Sequence, residues 1–170
     1  MPYSDQSNIQ WTGWLLGELK PKTIIDVGPG AGKYGQIAKE ILPECHTTAV
    51  EIWAPYIKQF NLEQIYDRVD VCDGRIYPYP KVDLIIFGDV LEHLSRADAL
   101  ELWKRISKKT KYAMISIPVI HYPQGDVEGN PYEIHIEDHW THEDILETFP
   151  EITGHQVFGI TGSYIADFTQ

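Results

Sequence analysis

Residues Thr23 to Gly35 read TIIDVGPGAGKYG: an apolar run meets an aspartate, Asp26, and glycine then falls at 28, 30 and 32. Glycine lets a backbone approach a ligand closely and take conformations other residues resist. One glycine here would mean a tight turn; three in alternation point to a bound small molecule. Two phosphate-binding patterns fail. A phosphate loop requires G-x-x-x-x-G-K-[ST], but Gly28 to Gly32 is one residue too short and Tyr34 follows Lys33. The dinucleotide pattern G-x-G-x-x-G occurs formally at Gly30, Gly32 and Gly35. It starts one glycine late, and Asp26 would repel a pyrophosphate.

A cationic ligand reverses that electrostatic objection. S-adenosylmethionine carries an ammonium and a sulfonium but no phosphate, so a nearby carboxylate attracts it. Further along, DVLEHL sets Glu92 and His93 just past an apolar strand, where the plain alternative is a helix-start carboxylate and a packed imidazole. The polar stretch 118–140 and the residues just after it hold His121, His135, His139 and His142 among several acids. With Asp89, Glu92 and His93, these form a candidate oxygen-and-imidazole set for magnesium, manganese or iron. The simpler reading, adopted here, makes the histidines polar residues of a lid over the substrate, with no metal expected.

These residues need elements to position them. Apolar spacing predicts a helix over Ile9–Leu19, with Trp11, Leu15, Leu16 and Leu19 near one face. Strands are expected at Thr23–Val27, Thr47–Ile52, Arg68–Cys72, Val82–Phe87 and Tyr112–Pro118, and helices at Tyr34–Ile41, Pro55–Leu62 and Arg96–Ile106. VDLIIF is nearly continuous in apolar character, as a strand covered on both faces must be. Ser95-x-x-Asp98 and Thr141-x-x-Asp144 read as helix-opening caps. GHQVFGI and SYIADF flank Thr161-Gly162 and predict a closing antiparallel hairpin. Alternating strands and helices imply right-handed crossovers and a parallel sheet. The expectation is one α/β domain over 1–170, with an N-terminal lid helix in 1–20 and a substrate-side insertion at 118–140. A long loop in a compact domain is more often functional than accidental.

Composition narrows the partners. The chain has 170 residues, a net charge of −11 and 43% hydrophobic residues. That length suits one sizeable core. Nucleic-acid backbones call for a basic patch, and the nearest, Lys104 to Lys111, reads as the solvated end of a helix. No run approaches the roughly 18 apolar residues of a membrane span. Two ordinary cysteines and no signal-like start suggest a reducing, cytoplasmic setting.

The motifs, taken in order, resemble those of the class I S-adenosylmethionine-dependent methyltransferases. DVGPGAG resembles their first motif, which implies a Rossmann-like, doubly wound, mostly parallel seven-stranded sheet ending in an antiparallel hairpin. By that resemblance, Asp26, Gly28, Gly30 and Gly32 face the cofactor. Glu51 holds the ribose hydroxyls, and Ile52 or Trp53 lies against the adenine. Asp73, beside Gly74, takes the adenine amino group, and Asp89 lies near the methionine end. The acceptor side falls to Glu92, His93 and His135. The function implied is methyl transfer from S-adenosylmethionine to a small or medium-sized acceptor, leaving S-adenosylhomocysteine. Asp89-x-x-Glu92-His93, with His135 ahead of Trp140-Thr141, also looks loosely like metal-dependent methyltransferases acting on the terminal 2′-hydroxyl of small RNAs. That likeness departs in having Asp at the first acid and a different histidine-to-tryptophan spacing. A binding module that keeps the fold without catalysis is the remaining alternative.

Overall fold

The computed structural model describes residues 6–169, so the first five residues of the expected lid lie outside the described residues. Strand alternation builds the core. In the run Leu84–Phe87, Leu84 and Ile86 face one side of a sheet, and Ile85 and Phe87 face the other, all fully buried. Burying each such side chain is worth about 1.5–3 kcal/mol. The sheet comprises β1 (Thr23–Val27), β2 (His46–Glu51), β3 (Arg68–Val71), β4 (Val82–Gly88), β5 (Thr110–Pro118), β6 (Ile152–Phe158) and β7 (Thr161–Asp167). Its order is β3-β2-β1-β4-β5-β7-β6. β1 to β5 are mutually parallel, while β7 runs antiparallel to both β5 and β6. The fold is the expected seven-stranded, doubly wound α/β sheet with its closing hairpin.

Helices cover both faces. α1 (Ile9–Leu19) and α2 (Lys33–Ile41) bury Leu15, Leu16, Ile37 and Ala38 against Ile24, Leu84, Ile86 and Met114. On the other face α5 (Arg96–Ile106) and α6 (His142–Thr148) bury Leu102, Trp103, Ile106 and Ile145 against Ile25, Ile85 and Ile115. Both caps form: Ser95 Oγ accepts the Asp98 N–H at 3.1 Å, and Thr141 and Asp144 exchange two bonds of 3.0 Å. The strand order reverses between β1 and β4, so their carboxyl ends open the crevice where such sheets hold ligands.

Beyond shifts of one or two residues at element ends, two elements differ from expectation. The single helix expected over 55–62 is two short ones, α3 (Pro55–Gln59) and α4 (Leu62–Ile65), because Asn61 takes a left-handed conformation between them. The hairpin turns at Gly159-Ile160, not at Thr161-Gly162: Gly159 supplies the positive φ, and Phe158 pairs with Thr161. The helix α1 packs on the sheet. Trp11 joins its buried stripe, whereas Trp14 is 60% exposed, and no α1 residue lines the cavity at the carboxyl ends of the strands.

Candidate functional site

At the end of β1 the chain must turn sharply beneath a ligand-sized space. Gly28 sits at φ +63°, and its N–H donates to the Val50 carbonyl at 2.9 Å, tying the turn to β2. A Cβ on Gly28 would lie 2.8 Å from Val90. Gly32, at φ +80°, caps α2. Gly35, the last glycine of the formal dinucleotide pattern, has a packing role: a Cβ there would lie 2.4 Å from the ring of Tyr66.

The cavity above this turn has a volume of about 310 Å³. Its floor is formed by Gly28, Gly30, Glu51, Ile52, Asp73, Gly88 and Asp89 at the strand ends. Its other wall comes from Asn130–Glu133, Ile134 and Ile136 of the insertion, and His93 lies in the lining beside Val90 and Leu94. Glu51, Asp73, Asp89 and Glu133 make the lining acidic, with Arg75 as its cation.

Glu51 is buried, and Oε1 accepts the Trp53 N–H at 2.7 Å. Burial pushes its carboxyl up to about 7, against the pull of that N–H. Asp73 is held by Arg75, which donates from its backbone at 2.8 Å and from its guanidinium at 2.7 Å. Burial works the other way, but these bonds keep Asp73 below the usual carboxylate range. Asp89 adopts φ +57°, a conformation aspartate tolerates better than most residues. Its N–H donates to the Ser116 carbonyl at 2.7 Å, and the Ser116 hydroxyl donates to Oδ1 at 3.5 Å.

Three of the residues expected to face the cofactor do not line the cavity. Asp26 is 1% exposed and accepts the Tyr66 hydroxyl, which also accepts the Gly35 N–H at 3.1 Å. It therefore braces the turn from below, and burial pushes its carboxyl up to about 7. Gly32 supports α2, and Gly74 packs against Val27 while its carbonyl accepts the Tyr79 hydroxyl.

The residues expected on the acceptor side converge. His93 lines the cavity, with Glu92 and His135 behind it; one ligand atom from each lies within 4.8 Å of the others. The two imidazole rings meet edge to face, 4.8 Å between centroids. His93 Nδ1 bonds the Ile134 carbonyl at 3.1 Å, and His135 Nδ1 bonds the Tyr122 carbonyl at 2.6 Å. Carbonyls only accept, so both Nδ1 atoms carry the proton and both Nε2 atoms keep a lone pair. Burial lowers His93 to about 4 and pulls His135 down as well. Burial, reinforced by the Asp89 charge, drives Glu92 well above the usual carboxylate range, and its buried Oε2 has no hydrogen-bond partner.

Within the insertion, sequence reading missed Glu133. Glu133 reaches the cavity from a turn made by Glu128 and Gly129 at positive φ, with Asn130 Oδ1 accepting the Tyr132 N–H at 3.0 Å. Its Oε1 accepts the Tyr56 hydroxyl at 3.0 Å, joining the insertion to α3. The GNPYE turn composition was the available signal. Asn8 was also missed, and no pattern marks it. It is fully buried ahead of α1, donates to Ser163 Oγ at 2.9 Å and Ser116 Oγ at 3.2 Å, and accepts Lys33 Nζ at 2.5 Å.

A sheet of this order, with a glycine turn after β1 and a buried carboxylate closing β2, defines the class I S-adenosylmethionine-dependent methyltransferase architecture. The family profile described as a methyltransferase domain matches residues 25–115, over half the chain, and the chain belongs to that family. Its fold is similar to that of the methyltransferase domain of bacterial CtHen1 (TM-score 0.72, 15% identity, 97% of this chain and 100% of that one). It is also similar to an O-methyltransferase family protein from Burkholderia thailandensis (TM-score 0.68, 14% identity, 95% and 55%). A third is human N-acetylserotonin methyltransferase in complex with S-adenosylmethionine (TM-score 0.66, 17% identity, 94% and 51%). The chain spans about half the length of the latter two. No curated protein matches the sequence significantly.

Proposed function

We propose that this chain moves a methyl group from S-adenosylmethionine to a small or medium-sized acceptor held between the strand ends and the insertion. The observation that carries the reading is one 310 Å³ cavity shared by the glycine turn, Glu51 and His93. The residues fit the donor. Gly28 and Gly30 line the cavity without a side chain, Glu51 presents acceptor oxygens suited to ribose hydroxyls, and the acidic lining suits a cation and opposes a phosphate. When bound, the donor supplies an electrophilic methyl on a sulfonium.

The chain's own residues align, dry and deprotonate. Pro131, Ile134 and Ile136 give the insertion wall an apolar surface that would exclude water once an acceptor covers it. His93, neutral with its Nε2 lone pair, can accept a proton from an acceptor hydroxyl or amine. Asp89, fixed through Ser116, sets the charge at that end of the cavity. The test is titration with S-adenosylhomocysteine. The wild type should bind it, and folded Glu51→Ala should bind at least about tenfold more weakly. Unchanged affinity in Glu51→Ala, or preference for NAD over S-adenosylhomocysteine, would overturn the reading.

A second reading is favoured by the convergence of Glu92, His93 and His135. Two imidazoles steered by backbone carbonyls, plus one carboxylate, are the donor set for a divalent cation, which would polarise an acceptor hydroxyl. That supports metal-assisted 2′-O-methylation of an RNA end. Chelation by EDTA should then abolish turnover and manganese or magnesium restore it; activity indifferent to EDTA eliminates this reading.

A further inference from the structure

A second cluster of donors lies at the stem of the insertion. His121 follows β5 by a few residues, and Asp138 and His139 end the insertion just before Trp140, which is buried at 1% exposure. The two ends of the loop are already joined there, with the Tyr122 N–H donating to the Asp138 carbonyl at 3.0 Å. The Asp138 carboxylate contacts a nitrogen of each of two imidazoles. Its Oδ2 lies 3.4 Å from His121 Nε2, and its Oδ1 contacts His139 Nδ1. The two rings stack, with centroids 4.1 Å apart and planes inclined at 17°.

We propose that His121, Asp138 and His139 form a zinc-class metal clasp that closes the base of the insertion, separate from Glu92, His93 and His135. One ligand atom from each residue lies within 4.8 Å of the others, and both histidines are exposed enough to rotate. A tetrahedral zinc with bonds of about 2.0–2.1 Å sets its ligands roughly 3.4 Å apart, so modest side-chain rotation completes the geometry. The donor set selects the ion. Two imidazoles and one carboxylate suit zinc, nickel or copper, whereas magnesium and calcium prefer oxygen shells. The exposed side leaves a position for water.

Without metal, each imidazole can satisfy the carboxylate only by presenting an N–H to it. A single divalent cation replaces those protons and draws all three side chains to one point. The clasp then fixes both ends of a loop whose middle, Asn130 to Ile136, walls the cavity. Closing a loop at its base removes the entropy of its open states, so the metal stiffens that wall without touching it.

The probe is zinc alone, titrated calorimetrically into the purified chain, with uptake rather than turnover as the readout. His93→Ala/His135→Ala removes the inner cluster as a competitor. This double variant should still take up one zinc, and adding His139→Ala or Asp138→Asn should weaken that uptake by at least about tenfold. Zinc should also slow proteolysis between residues 122 and 137 in the double variant and not after His121→Ala. His121 and His139 are exposed, so their variants should keep the wild-type melting temperature when zinc is absent. No uptake by a folded double variant, or uptake unchanged by loss of His121, Asp138 or His139, overturns the clasp and leaves the cluster an ion-pair group.

Discussion

The two walls of the cavity are built by different means. The floor, from Gly28 to Asp89, hangs on the ends of four adjacent parallel strands, so strand register alone places Glu51, Asp73 and Asp89 side by side. The insertion wall has almost no regular structure, only a 3-10 turn at Pro131–Glu133. Individual bonds hold it to the rest: Glu133 to Tyr56, the Ile134 carbonyl to His93, and the Ile136 and Glu137 N–H groups to the Glu92 carbonyl. The lesson is a division of labour. A framework of buried strands fixes one wall, and a segment tied by a handful of polar contacts shapes the other. Under the proposed function, acceptor choice can change with the insertion while the cofactor half stays as it is.

Separating the walls by mutation tests this. The largest effect should come from His93→Ala, which should lower turnover about a hundredfold while S-adenosylhomocysteine affinity moves less than about twofold. Equal losses in both would mean that the walls are not separable. Next comes Glu51, whose folded-state carboxyl is raised from 4.5 to about 7 by burial. A raised carboxyl favours the folded protein below its unfolded value, and that contribution disappears as pH climbs through about 7. In urea unfolding at pH 8 without cofactor, Glu51→Gln should be more stable than wild type by up to roughly 3 kcal/mol, and the gap should close near pH 5. Equal stability at both pH values would refute the burial argument.

Smaller effects probe the insertion and the packing helix. Tyr56→Phe removes the bond to Glu133 and should cost about 1 kcal/mol. It should also raise the acceptor KM more than the cofactor Kd. Trp14→Ala, on the exposed face of α1, should change stability by less than about 0.5 kcal/mol and leave cofactor binding untouched. Weaker binding there would give the helix a lid role.

The strand-end wall could be read ahead of the structure because it follows local rules: an apolar run, then an acid, then a turn. Glu51, Asp73 and Asp89 line the cavity for that reason. Asp26 satisfied the same rule, yet its side chain turns down to Tyr66, forty residues away, and no local pattern carries that contact. Glu133 and Asn8 were illegible for the same cause, since their partners lie 77 and 108 residues along the chain. The histidines were visible as a group. Which of them pair, His93 with His135 and His121 with His139, follows from how the loop folds back on itself.

Asn8 has a practical corollary. It links Lys33, at the start of α2, to Ser116, the residue that steadies Asp89. Anything fused or trimmed just ahead of α1 therefore pulls on the Asp89 end of the cavity from behind. Preparations differing only in an amino-terminal tag can then disagree in measured affinity while every lining residue is intact.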